Sequence, residues 1–381
     1  MKCIFALSGD YIELAKEEIL GLFDVQKYNL LDWLLIADIK NNEKNILKLS
    51  ERLALTKSIY KLLFECNVND SIKTVRNFDW NSVYRDNFCL RVNILDNKNK
   101  AIKDKIKNNK NKKNNRATSE SIRAGSNPLA IFSEKNLAKY VWRSVNNPKV
   151  ELENPVTSIH LFITKNKAYC GLLACENKED FESRKAHLRP FPHPSSLHPK
   201  IARSLVNITG IMENELLLDP FCGTGGFLIE AGLMNIKTIG YDIYKKMSAG
   251  CKKNLDYYKI KRYKIKNKNA LEIKDKFDCV VTDLPYGLNS NVLLKYEKGI
   301  WKQNRLNKKI QKKNFIKNIE KFYLAFLKQL RRKLRKKAVI VFPDYVDYRK
   351  LLKSAKFRIE KEFSIYVHRS LTRKIVKITK I

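Results

Sequence analysis

LLLDPFCGTGGFLIEAGLMNIKTIGYD, residues 216–242, runs from an apolar stretch into Asp219 and a glycine-rich turn (Gly223, Gly225, Gly226). A helix-forming segment follows, then a second apolar stretch that ends in Asp242. Glycines placed after a strand let the backbone turn tightly and approach a ligand, and the helix they open offers unpaired amide donors. A dinucleotide site would want Gly-x-Gly-x-x-Gly, but Leu228 stands at the third position. Asp219 ahead of the glycines suits a cofactor whose amino-acid tail carries a positive amine. Asp242, closing the next strand, is placed to accept hydrogen bonds from ribose hydroxyls. S-adenosylmethionine fits this variant better than NAD. The competing reading is a bare strand-to-helix turn, for which the pattern is long.

FDCVVTDLPYG, residues 277–287, repeats the apolar-strand-then-polar-turn pattern and ends in Asp283-Leu284-Pro285-Tyr286. An exocyclic base amine is a poor nucleophile because its lone pair is delocalised into the ring. A carboxylate and a backbone carbonyl that accept its two hydrogens would localise that lone pair toward a methyl donor. Pro285 stiffens the turn and Tyr286 can stack on a base. No covalent nucleophile is required, so Cys222 and Cys279 read as structural. The alternative is a plain Asp-Pro turn with a packed tyrosine.

The two motifs sit in a strongly basic chain of 381 residues, with 76 Lys and Arg against 39 Asp and Glu, a net charge of +37. Such a surface attracts polyanions; nucleic acid is the leading partner, and an anionic membrane the second, without a lipidation motif to support it. No apolar run reaches the ~18 residues of a membrane span. The opening MKCIFALSGDYIELAKEEI lacks the pattern of a secretory signal, and a cytoplasmic protein is expected. Eight cysteines without a CxxC pair read as reduced thiols, and five histidines without ligand spacing argue against a metal site.

Strands alternate with helices in the second half: strands over 216–219, 238–242, 277–283 and 338–342, helices over 226–234, 246–257 and 315–336, and a closing antiparallel pair over 358–368 and 373–379. This predicts a mostly parallel sheet covered on both faces. The front half reads as α+β: a strand over 2–9, a helix over 11–23, a strand over 28–39 and a helix over 46–64, in roughly ferredoxin-like order. Beyond it come a strand over 88–95, a helix over 134–145 and a hairpin over 158–174. The run 97–116 holds eight lysines and Arg116 against Asp104. It is a solvated loop or a phosphate-contacting arm, the loop being the simpler reading.

HPSSLHPKIARSLVNITG (193–210), DPFCGTGGFLIEAGL (219–233), TDLPYG (282–287) and VHRSLTRKIV (367–376) resemble the archaeal tRNA guanosine-10 N2-dimethyltransferases. The resemblance implies a Rossmann-like class I methyltransferase domain with a mostly parallel seven-stranded sheet over 199–381. In front of it stand a ferredoxin-like domain (1–65), a THUMP RNA-binding domain (66–180) that grips the tRNA acceptor end, and a linker (181–198). It further implies mono- and then dimethylation of the N2 amine of guanosine 10 in tRNA. Asp283, Pro285 and Tyr286 would handle the guanine amine. Asp219, Phe221, Gly223, Thr224, Gly225, Asp242, Ile243, Asn269 and Ala270 would line the S-adenosylmethionine site, covered by the 193–197 segment through Ser196 and Leu197.

Two departures stand out. Leu284 replaces the first proline of the family's Asp-Pro-Pro-Tyr, and Asn269 replaces the aspartate of its Asp-Ala pair. Activity is still expected, with weakened hold on the adenine. A monomer is expected, with a helper subunit left open. Methylation at another tRNA or rRNA guanine, N6-adenine methylation and an inactive RNA-binding protein remain alternatives.

Overall fold

A computed structural model describes residues 1–95, 132–194, 196–286, 308–368 and 371–381, so the 97–116 run, Ser195 and Gly287 lie outside the described residues. From the amino end the chain runs β1 (Lys2–Leu7), α1 (Ile12–Leu22), β2 (Val25–Leu31), β3 (Leu34–Ile39), α2 (Glu43–Ser50) and β4 (Thr56–Asn67). Next come α3 (Ser71–Asn77), β5 (Phe88–Ile94), α4 (Glu134–Ser144), β6 (Thr157–Ile163) and β7 (Lys167–Glu176). The second half follows as α5 (Pro199–Ile208), β8 (Leu216–Asp219), α6 (Gly226–Leu233), β9 (Lys237–Asp242), α7 (Lys245–Tyr257) and β10 (Tyr263–Asn267). It closes with β11 (Cys279–Asp283), α8 (Lys308–Lys333), β12 (Lys337–Pro343), α9 (Tyr348–Ser354), β13 (Phe357–His368) and β14 (Leu371–Lys380). Among the described residues no helix is long and apolar enough to cross a membrane.

The chain divides into two compact units: Met1–Leu7 with Val25–Asn42 and Lys57–Glu176, and Ser8–Asp24 with Glu43–Thr56 and Asn177–Ile381. The first unit holds a seven-stranded sheet ordered β2-β3-β1-β4-β7-β6-β5, so strands from 1–65 and from 66–180 share one sheet. Two expectations for the front half are corrected. The single strand over 28–39 is a hairpin, turned by Asp32 at φ 51° between paired Leu31 and Leu34; Asp-Trp carries a weaker turn signal than Asp-Gly. The helix over 46–64 stops at Ser50, and TKSIYKLLFECN instead extends as β4 against β7. Branched and aromatic side chains there fit a pleated surface, and the helical stripe of α2 ends with Ile46 and Leu49.

The second unit holds the expected sheet, ordered β10-β9-β8-β11-β12-β14-β13. Its first five strands pair in parallel, whereas β14 runs antiparallel to β12 and β13. The chain winds outward from β8 to β10, then crosses back to place β11 on the other side of β8. Ligands in such sheets bind at this reversal, at the carboxyl ends of the strands. Helix α8 buries Ile319, Phe322, Tyr323, Phe326, Leu327 and Leu330 in one cluster with Val280, Leu284, Ile340 and Phe342 of the sheet side. A stripe spaced three and four apart dictates that face.

Helix α1 belongs to this second unit. Gly21 lets its backbone close on α5: a Cβ there would lie 2.6 Å from the Asn207 carbonyl oxygen. Glu18, fully buried, accepts from the backbone N–H of Ala54 (2.9 Å) and Leu55 (2.8 Å) and from Asn207 Nδ2 (2.8 Å). Buried Glu17 of the same helix faces Lys377 of β14 at 3.6 Å.

Candidate active site

Three carboxylates reach the carboxyl edge of the parallel strands because each closes one of them: Asp219 on β8, Asp242 on β9 and Asp283 on β11. Asp219 is buried. Its Oδ1 accepts from Thr282 Oγ1 (2.7 Å) and from the Phe221 N–H (3.2 Å). Burial pushes its carboxyl up to about 7, and the neighbouring charges of Asp283 and Asp242 add to the effect. Asp242 accepts from the Gly223 N–H (3.0 Å) and the Tyr244 N–H (2.8 Å), which ties the glycine turn to the start of α7. Burial raises its carboxyl also.

The turn needs its glycines. Gly225 sits at φ 89°, and a Cβ there would lie 2.7 Å from Cys251 Sγ, whereas a Cβ on Gly223 would meet nothing within 4 Å. The backbone at Gly223 therefore faces open space in front of the turn. Asn254 of α7 holds the arrangement, donating to the Thr224 carbonyl (3.0 Å) and exchanging bonds with the Phe191 backbone (2.9 and 3.0 Å). Ser196 Oγ meets Thr224 Oγ1 at 3.3 Å, so Ser196 lies on the turn, and Leu197 beside it is buried. Phe221 packs edge-on against Phe322 and Phe326, at 5.9 and 5.0 Å between centroids. Ile243 is half-buried. Asn269 spends its Oδ1 on the Leu271 N–H (3.0 Å), capping a short helical turn around buried Ala270. The Cys222 thiol is pushed well up by its bond with Cys251 and by burial, which fits a structural role.

Phe181 and Arg184 pack against the second unit's helices. Arg184 and Arg203 both bond fully buried Glu230 of α6 (2.9 Å each), and both guanidinium groups lie near the Phe181 ring, at 5.0 and 5.1 Å from its centroid.

At β11, Asp283 Oδ1 accepts from the Tyr286 hydroxyl, and its Oδ2 lies 3.2 Å from Arg373 Nη2. Arg373 Nε donates to the Tyr286 oxygen at 2.9 Å, so cation, phenol and carboxylate form a closed triangle. Burial raises the Asp283 carboxyl to about 6, against the pull of Arg373 and the Tyr286 bond. Tyr286 is raised far out of range and remains a donor. Pro285 offers its carbonyl to Tyr323 OH (2.7 Å), and the Tyr286 carbonyl takes the Tyr345 hydroxyl. Leu284 is buried in the α8 cluster, which accounts for an apolar residue in the proline position. Its N–H donates to the Val341 carbonyl at 3.1 Å, a bond proline could not make.

The structure brings Asp219, Asp242, Asp283 and the glycine turn to one edge of one sheet, with Ser196 and Thr224 in contact. Sequence reasoning assigns nothing to Asn254, Glu230 or Arg373. Arg373 stands inside the 367–376 motif, and a buried cation there is the one available signal. Among the described residues no cluster could hold a metal ion.

A family model described as RMKL-like, methyltransferase domain, matches residues 186–292. A tRNA (guanine(10)-N2)-dimethyltransferase of Methanothermobacter thermautotrophicus is 36% identical over 61% of this chain and 64% of its own length, just under two thirds. One from Pyrococcus abyssi is 28% identical over 95% of this chain and 94% of its own. A protein of Methanothermococcus thermolithotrophicus, named Probable tRNA (guanine(10)-N2)-dimethyltransferase, is 34% identical over 46% of this chain and 95% of its own.

Proposed function

This chain belongs to the tRNA (guanine(10)-N2)-dimethyltransferase family, and on that premise we propose that it methylates the N2 amine of guanosine 10 in tRNA, once and then again. The observation that carries the reading is the lip of β11, where a carboxylate held by Arg373 stands beside the Leu284 carbonyl. An amine has two hydrogens, and these are two acceptors. Asp283 takes one N–H and then receives the proton the nitrogen sheds; the Leu284 carbonyl takes the other. Arg373 keeps the carboxylate charged, and with Asp283 it sets the Tyr286 ring in a fixed orientation for stacking on the base.

The open space at Gly223, flanked by carboxylates at the ends of β8 and β9, fits a nucleoside with a cationic amino-acid tail. Asp219 would hold the tail, Asp242 the ribose, and Asn269 with Ala270 the adenine. Phe221, Thr224, Gly225 and Ile243 would complete the wall, and Ser196 with Leu197 the cover. Bound there, S-adenosylmethionine supplies an electrophilic methyl group on a sulfonium that leaves as a neutral thioether.

A paired guanine must be flipped out to present N2, at a cost of a few kcal/mol that backbone contacts offset. One stretch of the second unit supports such contacts. Residues 245–268, spanning α7 and β10, carry ten Lys and Arg against one acid, Asp256. Within the described residues only Lys266 of these ten forms an ion pair, with Asp275 at 3.4 Å. The first unit, covering most of the expected ferredoxin-like and THUMP segments, would add further grip on the RNA.

The test is Asp283→Ala. Calorimetric affinity for S-adenosylhomocysteine should stay within about twofold while methyl incorporation into unmodified tRNA is lost. Turnover retained near the parent level would remove Asp283 from the reaction.

A further inference from the structure

The Leu284 carbonyl serves a substrate best if the sheet does not use it, because a ladder bond would occupy the lone pair in the plane of the sheet. In a parallel ladder, a residue that donates to one neighbouring carbonyl accepts from the N–H two residues further along the same strand. Strands β11 and β12 keep one register from Val280↔Ala338 to Asp283↔Val341. Leu284 extends it by one step, with its N–H on the Val341 carbonyl at 3.1 Å. The next N–H in the ladder, the one that would close on the Leu284 carbonyl, belongs to residue 343. That residue is Pro343, the last of β12, which has no N–H to give. Among the described residues nothing else donates to the Leu284 carbonyl, while the carbonyls of Pro285 and Tyr286 are taken by Tyr323 and Tyr345.

We propose that Pro343 is a positioning residue: by withholding one ladder hydrogen bond, it keeps the Leu284 carbonyl available to the amine of the substrate base. A proline at the end of a buried parallel strand otherwise only forfeits a bond. Here it leaves the Leu284 carbonyl unshared beside Asp283, whereas the carbonyls of Pro285 and Tyr286 each already hold a hydroxyl. The inference rests on the reading of β11 as the amine-binding lip.

Pro343→Ala and Pro343→Val each restore an N–H, the second with a strand-forming side chain. With the full chain, stability to urea should be unchanged or higher, because the ladder gains a bond, and affinity for S-adenosylhomocysteine should be unchanged. The kcat for tRNA methylation should fall about tenfold, the value of one competed hydrogen bond, with KM for tRNA little altered. Amide exchange should show residue 343 protected in both variants. A protected amide with kcat at the parent level overturns the proposal, as does a loss of kcat that only follows a loss of stability. The parent chain in the same assay separates the two readings: inactivity of the parent would refute the methyltransferase reading itself.

Discussion

Replacing Arg373 by Gln probes the triangle at β11 directly. The guanidinium is buried, lies 3.2 Å from the Asp283 carboxylate, and also bonds the Tyr286 oxygen at 2.9 Å. Even with that cation in place, burial holds the Asp283 carboxyl up at about 6, so at pH 7 it is about nine-tenths ionised. An adjacent arginine ordinarily lowers a carboxyl pKa by about 1–3 pH units. Its loss should carry Asp283 to roughly 7–9, leaving about half to about one hundredth ionised at pH 7. If the charged form is the acceptor, kcat at pH 7 falls about two- to a hundredfold, and the rising limb of the kcat–pH profile moves up by the same interval. Activity should return toward the parent level by pH 9, and Arg373→Lys should shift the limb less. The assay is initial-rate incorporation of labelled methyl into unmodified tRNA from pH 5.5 to 9.5, with tRNA affinity measured alongside. A Gln variant whose rising limb stays where the parent's lies would refute the argument, whatever its absolute rate.

Two further outcomes follow from the same edge of the sheet. Gly225→Ala must take φ 89° with a side chain and push against Cys251 Sγ at 2.7 Å, so urea denaturation should show a loss of roughly 1–3 kcal/mol. Adding Cys251→Ala should recover only part of it, because the backbone strain stays. Asp219 is raised from 3.8 to about 7 in the folded chain, so its contribution to stability is whole below pH 3.8 and lost as pH rises through about 7. Between pH 5 and 7 the cofactor-free parent should lose up to about 1.4 kcal/mol per pH unit relative to Asp219→Asn. Parallel stability curves for the two proteins would exclude a raised Asp219.

What could be read in advance follows from where the information lies in the chain. The strand–turn–helix unit from Leu216 to Asp242 and the apolar stripe of α8 are local patterns, and both appear in the sheet and core where expected. The hairpin at Asp32 and the strand at Thr56–Asn67 were hidden because LLDWLL and SIYKLLF satisfy more than one period at once. Helix α5 and strand β10 were missed for different reasons: one lies in a segment read as following a linker, the other is YKIKN, whose lysines mask an edge strand. Partners distant in sequence leave no local trace. Arg373 lies ninety residues beyond Asp283, and Asn254 holds Phe191 from sixty-three residues away. Pro343 acts through an absence, which no composition reveals.

The placement of α1 has a consequence for how this polypeptide can be divided. Residues 8–24 and 43–56 are knitted into the same body as 177–381, through Glu18 on Asn207 and Glu17 toward Lys377. No single scission therefore releases an intact catalytic body: a cut near residue 175 would strip Asn207 of its carboxylate and leave Lys377 facing Glu360 alone among its described ion partners. Dissecting the protein calls for excising two inner segments and rejoining the ends, not for truncation. During synthesis, likewise, α1 must wait for β14 before its buried acid finds Lys377.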